Sequence, residues 1–105
     1  METIIVKLDS QKMENPEISI FYELPEKLEK YTKNKVTDNG YDYLTNTVVG
    51  IWLATEHAKE DYPKVIDYIS KKKVCGNDLS KTVEIYISQK DVAKLEECEK
   101  VYPEH

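Results

Sequence analysis

Three stretches of the chain alternate apolar and polar residues, with the period of two that is typical of a strand with one buried face. They cover residues 3–8, 18–24 and 82–88. The polar residues 9–17 between the first two stretches include Asn15 and Pro16, which predict a turn or a long loop. Because a parallel crossover needs about a dozen residues or more, we expect the first two strands to form an antiparallel hairpin.

Helical spacing is found in the middle of the chain. Pro25 suits the first position of a helix, and the residues after it predict a short helix over 26–33 that is broken by 34–40. A longer apolar stripe follows at positions i, i+4, i+7, i+8 and i+11, which predicts a central, buried helix. Its residues are Leu44, Val48, Ile51, Trp52 and Thr55.

Two further helices are predicted in the second half. Asp61 is a suitable cap for one of them, with Pro63 in its first turn, although residues 65–70 could also pair as a strand. Ser88 and Asp91 stand at capping-box spacing, which predicts a last helix that ends at Pro103.

The order of predicted elements is therefore ββαααβα. This grouping favours the α+β class, with a small, mostly antiparallel three-stranded sheet and helices packed on one face. The length of 105 residues and the lack of a linker or repeat predict a single globular domain over 1–105.

Charge narrows the range of functions. The chain has 15 lysines, no arginine and 20 acidic residues, which gives a net charge of −5. Arginine forms the two-pronged contacts that read phosphates and base edges, so we expect no direct binding to nucleic acid. The only compact basic run, residues 71–73, is typical of the last turn of a helix. No apolar run approaches the roughly 20 residues of a membrane span, and the N-terminus lacks the pattern of a secretion signal, so we expect a cytoplasmic protein without a membrane partner.

The inventory of reactive residues is small. Cys75 and Cys98 belong to no metal-binding motif, and no motif of a nucleophile, phosphate loop or zinc protease occurs. Glu56 and His57 are the first candidates for chemistry, but adjacent residues on a helix point about 100° apart and cannot readily assist one another. We therefore expect no catalytic, cofactor or metal site, and a protein that is not an enzyme.

Binding to another protein is the remaining expectation. Asp38, Tyr41, Asp42 and Tyr43 surround an Asn-Gly turn, and tyrosine is enriched at the energetic centres of interfaces. The alternative is structural: Asp42 caps the next helix while Tyr41 or Tyr43 packs into the core, and both could hold. A second acidic group follows the central helix, which would place it about 24 Å from the first group. Its residues are Glu56, Glu60 and Asp61.

The small size, acidic charge and α+β pattern, with a turn at residues 39–43 leading into a long apolar helix, resemble the immunity proteins of bacterial contact-dependent growth inhibition and related toxin systems. The resemblance implies a cytoplasmic inhibitor that binds one cognate toxin domain, often a nuclease, and blocks its active site or substrate groove. The alternatives are another small protein-binding module, such as a phage inhibitor or an accessory subunit, and a small enzyme without a recognisable motif.

Overall fold

The computed structural model describes residues 1–103 and shows an α+β fold with one five-stranded antiparallel sheet and two α-helices. The strands lie in the order β2-β3-β1-β4-β5, so that β2 and β5 form the two edges. The elements are β1 (Glu2–Asp9), α1 (Ile20–Tyr31), β2 (Val36–Tyr43), β3 (Val48–Thr55), α2 (Ala58–Lys71), β4 (Val83–Ser88) and β5 (Glu99–Tyr102).

Two of the predicted strands, β1 and β4, are confirmed. Alternate residues of β1 face the core, where Val6 lies opposite Ile51 of β3 and Ile85 of β4. Both helices pack on this face of the sheet through the apolar stripes of α1 and α2. The stripes consist of Ile20, Leu24, Leu28, Val65 and Ile69. The α+β class is confirmed, but the three-stranded sheet and the order ββαααβα are wrong.

The predicted second strand over 18–24 is helical, and the predicted hairpin does not form. Ile20, Phe21, Leu24 and Leu28 are buried along one side of α1. Because these positions follow both a period of two and a helical stripe, burial against the sheet decided between the two patterns. Pro25 lies inside α1 and not at its first position.

The predicted central helix is also wrong, because residues 48–55 form strand β3 between β2 and β1. Strand β3 is covered by the helices on one face and in part by residues 89–98 on the other, so it carries a nearly continuous apolar run, which also satisfies helical spacing. The β-branched residues Val48, Val49 and Ile51 favour the extended form. The break predicted over 34–40 lies largely within β2, the partner of β3 in a hairpin.

The third predicted helix exists as α2, but it begins at Ala58 with His57 at the cap, so the assignment of Asp61 as cap is wrong. Residues 65–70 are helical, which resolves the strand alternative. The last predicted helix is absent: residues 95–97 form a short 3-10 turn, which leads into the edge strand β5. The capping-box spacing was misleading, since Lys90 N–H bonds to the Ser88 hydroxyl in a local turn.

The loop over residues 89–98 covers part of the sheet face opposite the helices. The Thr3 hydroxyl donates to the carbonyl of Lys90 at 2.8 Å and accepts the N–H of Ala93 at 3.2 Å. The indole N–H of Trp52 donates to the carbonyl of Ala93 at 2.8 Å. Both cysteines are free thiols. Neither described helix has the length and apolar character of a membrane span.

Candidate protein-binding surface

The edge strand β2 presents its two tyrosines toward helix α1. Tyr41 lies opposite Ile51 and Tyr43 opposite Val49, and both partners face the core side of the sheet. This register follows from the alternation of a strand: residues two apart share a face. Helix α1 runs beside β2 and supplies the other half of the surface.

Four aromatic rings meet at this edge. The ring of Phe21 lies 5.0 Å from that of Tyr41 and 6.0 Å from that of Tyr43, the second pair being perpendicular. Tyr22 packs edge-on to Tyr41 at 5.8 Å. These tilted and perpendicular arrangements are the favourable geometries of aromatic pairs. Phe21 is buried and anchors the cluster to the core.

The outer members of the cluster are exposed. Tyr22 is 58% exposed, Tyr43 is 52% exposed and neighbouring Ile18 is 62% exposed, whereas Tyr41 is 36% exposed. We call Ile18, Phe21, Tyr22, Tyr41 and Tyr43 the aromatic patch. A contiguous exposed patch of this kind on a small protein is typical of an interaction site.

Two of the three tyrosine hydroxyls of the aromatic patch form a hydrogen bond with each other. The hydroxyls of Tyr22 and Tyr41 are 3.2 Å apart. This hydrogen bond, with the nearby phenols, raises the pKa of Tyr41 above its ordinary value. The Tyr41 phenol therefore remains neutral at physiological pH and offers a polar tip on the aromatic surface.

A shallow pocket adjoins the aromatic patch on the helix side of the sheet. It has a volume of about 160 Å³ and is lined by Ile18, Phe21, Tyr43 and Val49, together with Met13 and other residues of the β1–α1 loop. Its walls are mainly apolar side chains, so it suits a small apolar group of a binding partner.

The two aspartates predicted for this site occupy different positions. Asp42 lies opposite Gly50, on the sheet face away from the helices, where it lines a groove of about 440 Å³. The groove is also lined by Trp52 of β3 and by Val92 of the 89–98 loop. Asp38 lies at a β-bulge formed by Asn39 and Gly40, and its carboxylate accepts the N–H of Gly40 at 2.9 Å. Gly40 adopts a φ of 93°, which explains the glycine.

The second predicted acidic group lies at the other end of the β2–β3 hairpin. Glu56 follows β3, and Glu60 lies in the first turn of α2. Since β3 is a strand that runs back along β2, Asp38 lies opposite Leu53, only about 10 Å along the strand from Glu56. The expected separation of the two acidic groups by a helix of about 24 Å is therefore wrong. Tyr41 and Tyr43, in contrast, lie toward the end of the hairpin that is far from Glu56.

Asp61 has a structural role in this fold. It is only 5% exposed, accepts a hydrogen bond from the buried Thr55 hydroxyl and accepts a second from Lys64 at 3.0 Å. Burial raises the pKa of Asp61, but the bonds from Thr55 and Lys64 outweigh that effect and leave the pKa below its ordinary value. We therefore leave Asp61 out of the surface proposed below.

Ile18, Phe21, Tyr22 and Trp52 were missed as members of a binding surface. Ile18 and Tyr22 were assigned to a strand, although they are one helical turn apart and lie outside the buried stripe of α1. A helical interpretation of 18–28 would have placed both on the surface. Trp52 was assigned to the core because its segment was taken for a buried helix.

Glu56 and His57 do share a pocket, of about 390 Å³, with Glu60, Asp61 and Lys35. Within residues 1–103, no group of three or more His, Cys, Asp or Glu side chains is placed to hold a metal ion. Comparisons with protein-family models, curated proteins and solved structures found no match for this chain.

Proposed function

We propose that the protein is a non-enzymatic inhibitor that binds a partner protein through the aromatic patch. In this proposal it is a cytoplasmic immunity protein, and its partner is a toxin domain with a cationic active site or substrate groove, of the nuclease class. The observation that carries the proposal is the exposure of Tyr22 and Tyr43 on a framework anchored by the buried ring of Phe21.

The aromatic patch has the features of an energetic centre of an interface. Tyrosine side chains supply a large contact area at low entropic cost, because only two torsions must be fixed on binding. Here Tyr41 is already held by Phe21 and by the Tyr22 hydroxyl, so less freedom remains to be lost. Residues of this kind are common among hot spots, whose truncation to alanine costs roughly 2 kcal/mol or more of binding free energy.

Charge supports the choice of a cationic partner. The net charge of −5 favours encounter with a basic surface and disfavours binding to phosphate backbones. Asp42 lies between the two tyrosines of the same strand, on the opposite face of the sheet, and Asp38 lies at the bulge that precedes them. Acids around an aromatic centre would meet the lysines and arginines with which a nuclease holds its substrate.

The test is capture followed by neutralisation. The tagged protein is used to isolate partners from a lysate of its native host, and the captured protein is identified by mass spectrometry and expressed alone in a bacterial host. We expect its toxin domain to stop growth, and wild-type protein expressed with it to restore growth. The double variant Tyr22→Ala/Tyr43→Ala should fail to restore growth.

Tyr31→Ala is the matched control, because Tyr31 is 42% exposed on the same helix but lies outside the aromatic patch. It should restore growth as the wild type does. Equal protection by the double variant and the wild type would remove the aromatic patch from the mechanism. A captured protein that is harmless when expressed alone would refute the immunity function and assign the protein to the class of regulatory binding modules.

A further inference from the structure

The first half of the edge strand β2 is closed by helix α1. The N–H of Val36 bonds to the Thr32 hydroxyl at 3.1 Å, and the N–H of Asp38 bonds to the Glu29 carboxylate at 2.9 Å. Both groups point away from β3, where an added strand would need them. The bulge at Asn39 then interrupts the edge, a common way to prevent unwanted strand pairing.

The second half of the edge is open. Leu44 N–H bonds to the carbonyl of Val48, so Leu44 faces β3. Because residues of an antiparallel pair alternate between facing the partner strand and facing away, the N–H and C=O groups of Tyr41 and Tyr43 point outward. No loop or side chain of residues 1–103 bonds to these four groups. They can therefore accept one more strand.

A pocket flanks this open segment on each face of the sheet. The pocket beside Phe21 and Tyr43 lies on the helix face, and the groove of Asp42, Trp52 and Val92 lies on the other. Successive side chains of an added strand would point alternately to these two faces. One extended segment could thus contact both sites at once.

The charge of Asp42 selects the occupant. Its carboxylate forms no hydrogen bond or ion pair with any residue of 1–103, although Lys94 lines the same groove. If a second copy of the chain paired here about a two-fold axis through Asp42, the two carboxylates would lie directly opposite each other and repel. A strand with a basic side chain opposite Asp42 gains an ion pair instead.

We propose that an extended segment of the partner, bearing lysine or arginine at alternate positions, adds to the sheet antiparallel to Tyr41–Asp42–Tyr43. This inference rests on the proposed function, because it specifies how the partner engages the same surface. The main-chain hydrogen bonds to Tyr41 and Tyr43 supply affinity, and the alternate side chains supply specificity. The closed half of β2 fixes where the added strand begins.

The test uses a fluorescent, end-capped heptapeptide of alternating isoleucine and lysine, with binding followed by fluorescence anisotropy. In antiparallel pairing, residues opposite Tyr41 and Tyr43 direct their N–H groups to β2, and the residue opposite Asp42 directs its N–H away. With lysine opposite Asp42, N-methylation of the isoleucines should weaken binding by about tenfold or more, since each bond lost costs about 1 kcal/mol. N-methylation of the lysines should change it little.

Asp42→Lys and Glu99→Lys change the net charge equally, but Glu99 lies on β5 at the opposite edge of the sheet. Asp42→Lys should weaken binding by about tenfold or more, as expected for loss of a close charge pair, and Glu99→Lys by less than about threefold. Strand addition is overturned if the parent peptide shows no binding at millimolar concentration, if both methylated peptides bind as the parent does, or if both variants weaken binding equally. Should the peptide fail while Tyr22→Ala/Tyr43→Ala still abolishes protection, strand addition is wrong and the proposed function stands.

Discussion

Replacement of Asp61 tests the assignment of this acidic residue to the fold. In Asp61→Ala the completely buried Thr55 hydroxyl loses the carboxylate that accepts its hydrogen bond. A hydrogen bond to a charged group contributes about 1.5–3 kcal/mol, and an orphaned buried hydroxyl costs a similar amount. We assign no share to the exposed ammonium of Lys64. The expected loss is therefore about 2–3 kcal/mol in the free energy of unfolding, measured by urea denaturation.

Glu60→Ala is the matched control, because Glu60 is the exposed acidic neighbour in the same helical turn. It loses only a favourable interaction with the helix terminus, of less than about 1 kcal/mol. A cost for Asp61→Ala no larger than that of Glu60→Ala would show that the Asp61 carboxylate does not stabilise the fold.

The pH dependence of Asp61→Ala gives a second check. Burial raises the pKa of Asp61, but bonds from Thr55 and Lys64 outweigh burial and lower it below 3.8. A lowered pKa stabilises the folded state above the unfolded value, and this stabilisation is lost as the pH falls through the folded value. The difference between wild type and Asp61→Ala should therefore be constant near neutral pH and shrink below about pH 4.

Three further substitutions have defined outcomes. A Cβ at Gly50 would lie 2.6 Å from the ring of Trp52, so Gly50→Ala should displace the indole and shift its fluorescence. The free energy of unfolding in urea should fall by about 1–3 kcal/mol. An unchanged emission spectrum would show that the indole is not displaced. Thr32→Val leaves a buried edge N–H without its acceptor and should cost about 1–3 kcal/mol, whereas stability equal to wild type would show that the cap is dispensable. The Tyr31 hydroxyl donates a hydrogen bond to the Asp67 carboxylate, and this bond raises the pKa of Tyr31. Asp67→Asn should therefore lower that pKa toward 10.0 in an NMR titration, and an unmoved titration refutes the contact.

The sequence predicted strands β1 and β4 and the longest helix, α2, although it left residues 65–70 open between helix and strand. In β1 and β4 every second residue faces the core, and this period of two indicates a strand. Helix α2 likewise shows a single stripe, from Val65 to Ile69. The alternation in β4 reflects one buried side, whereas both sides of β1 are buried from Thr3 to Val6, and its alternation is kept by the polar residues Thr3 and Lys7.

The remaining errors arose where burial is not one-sided. Strand β3 has the helices on one face and the 89–98 loop on the other, so Ile51 and Trp52 are both apolar and the period is lost. Its β-branched residues and its length of eight residues were the available signals for a strand. Strand β5 depends on pairing with β4, a long-range contact that no local pattern reports.

The candidate site was predicted in part for the same reason. Tyr41, Asp42 and Tyr43 were selected by residue type, and the structure places all three on one edge strand. Their partners Phe21 and Tyr22 come from a distant helix, so their contact with β2 could not be predicted without the correct fold. The buried position of Asp61 likewise depends on Thr55 at the end of β3.

In the proposed complex, the aromatic patch contributes most of the affinity for the partner. It is tested most directly by calorimetric titration of the captured partner with wild type, Tyr43→Ala and the Tyr31→Ala control. Truncation of a hot-spot residue costs at least about 2 kcal/mol of binding free energy, so we expect Tyr43→Ala to weaken binding by roughly 30-fold or more. The thermal unfolding of Tyr43→Ala should stay close to that of the wild type, and Tyr31→Ala should bind as the wild type does. A dissociation constant for folded Tyr43→Ala within about twofold of wild type would show that the aromatic patch is not the energetic centre of the interface.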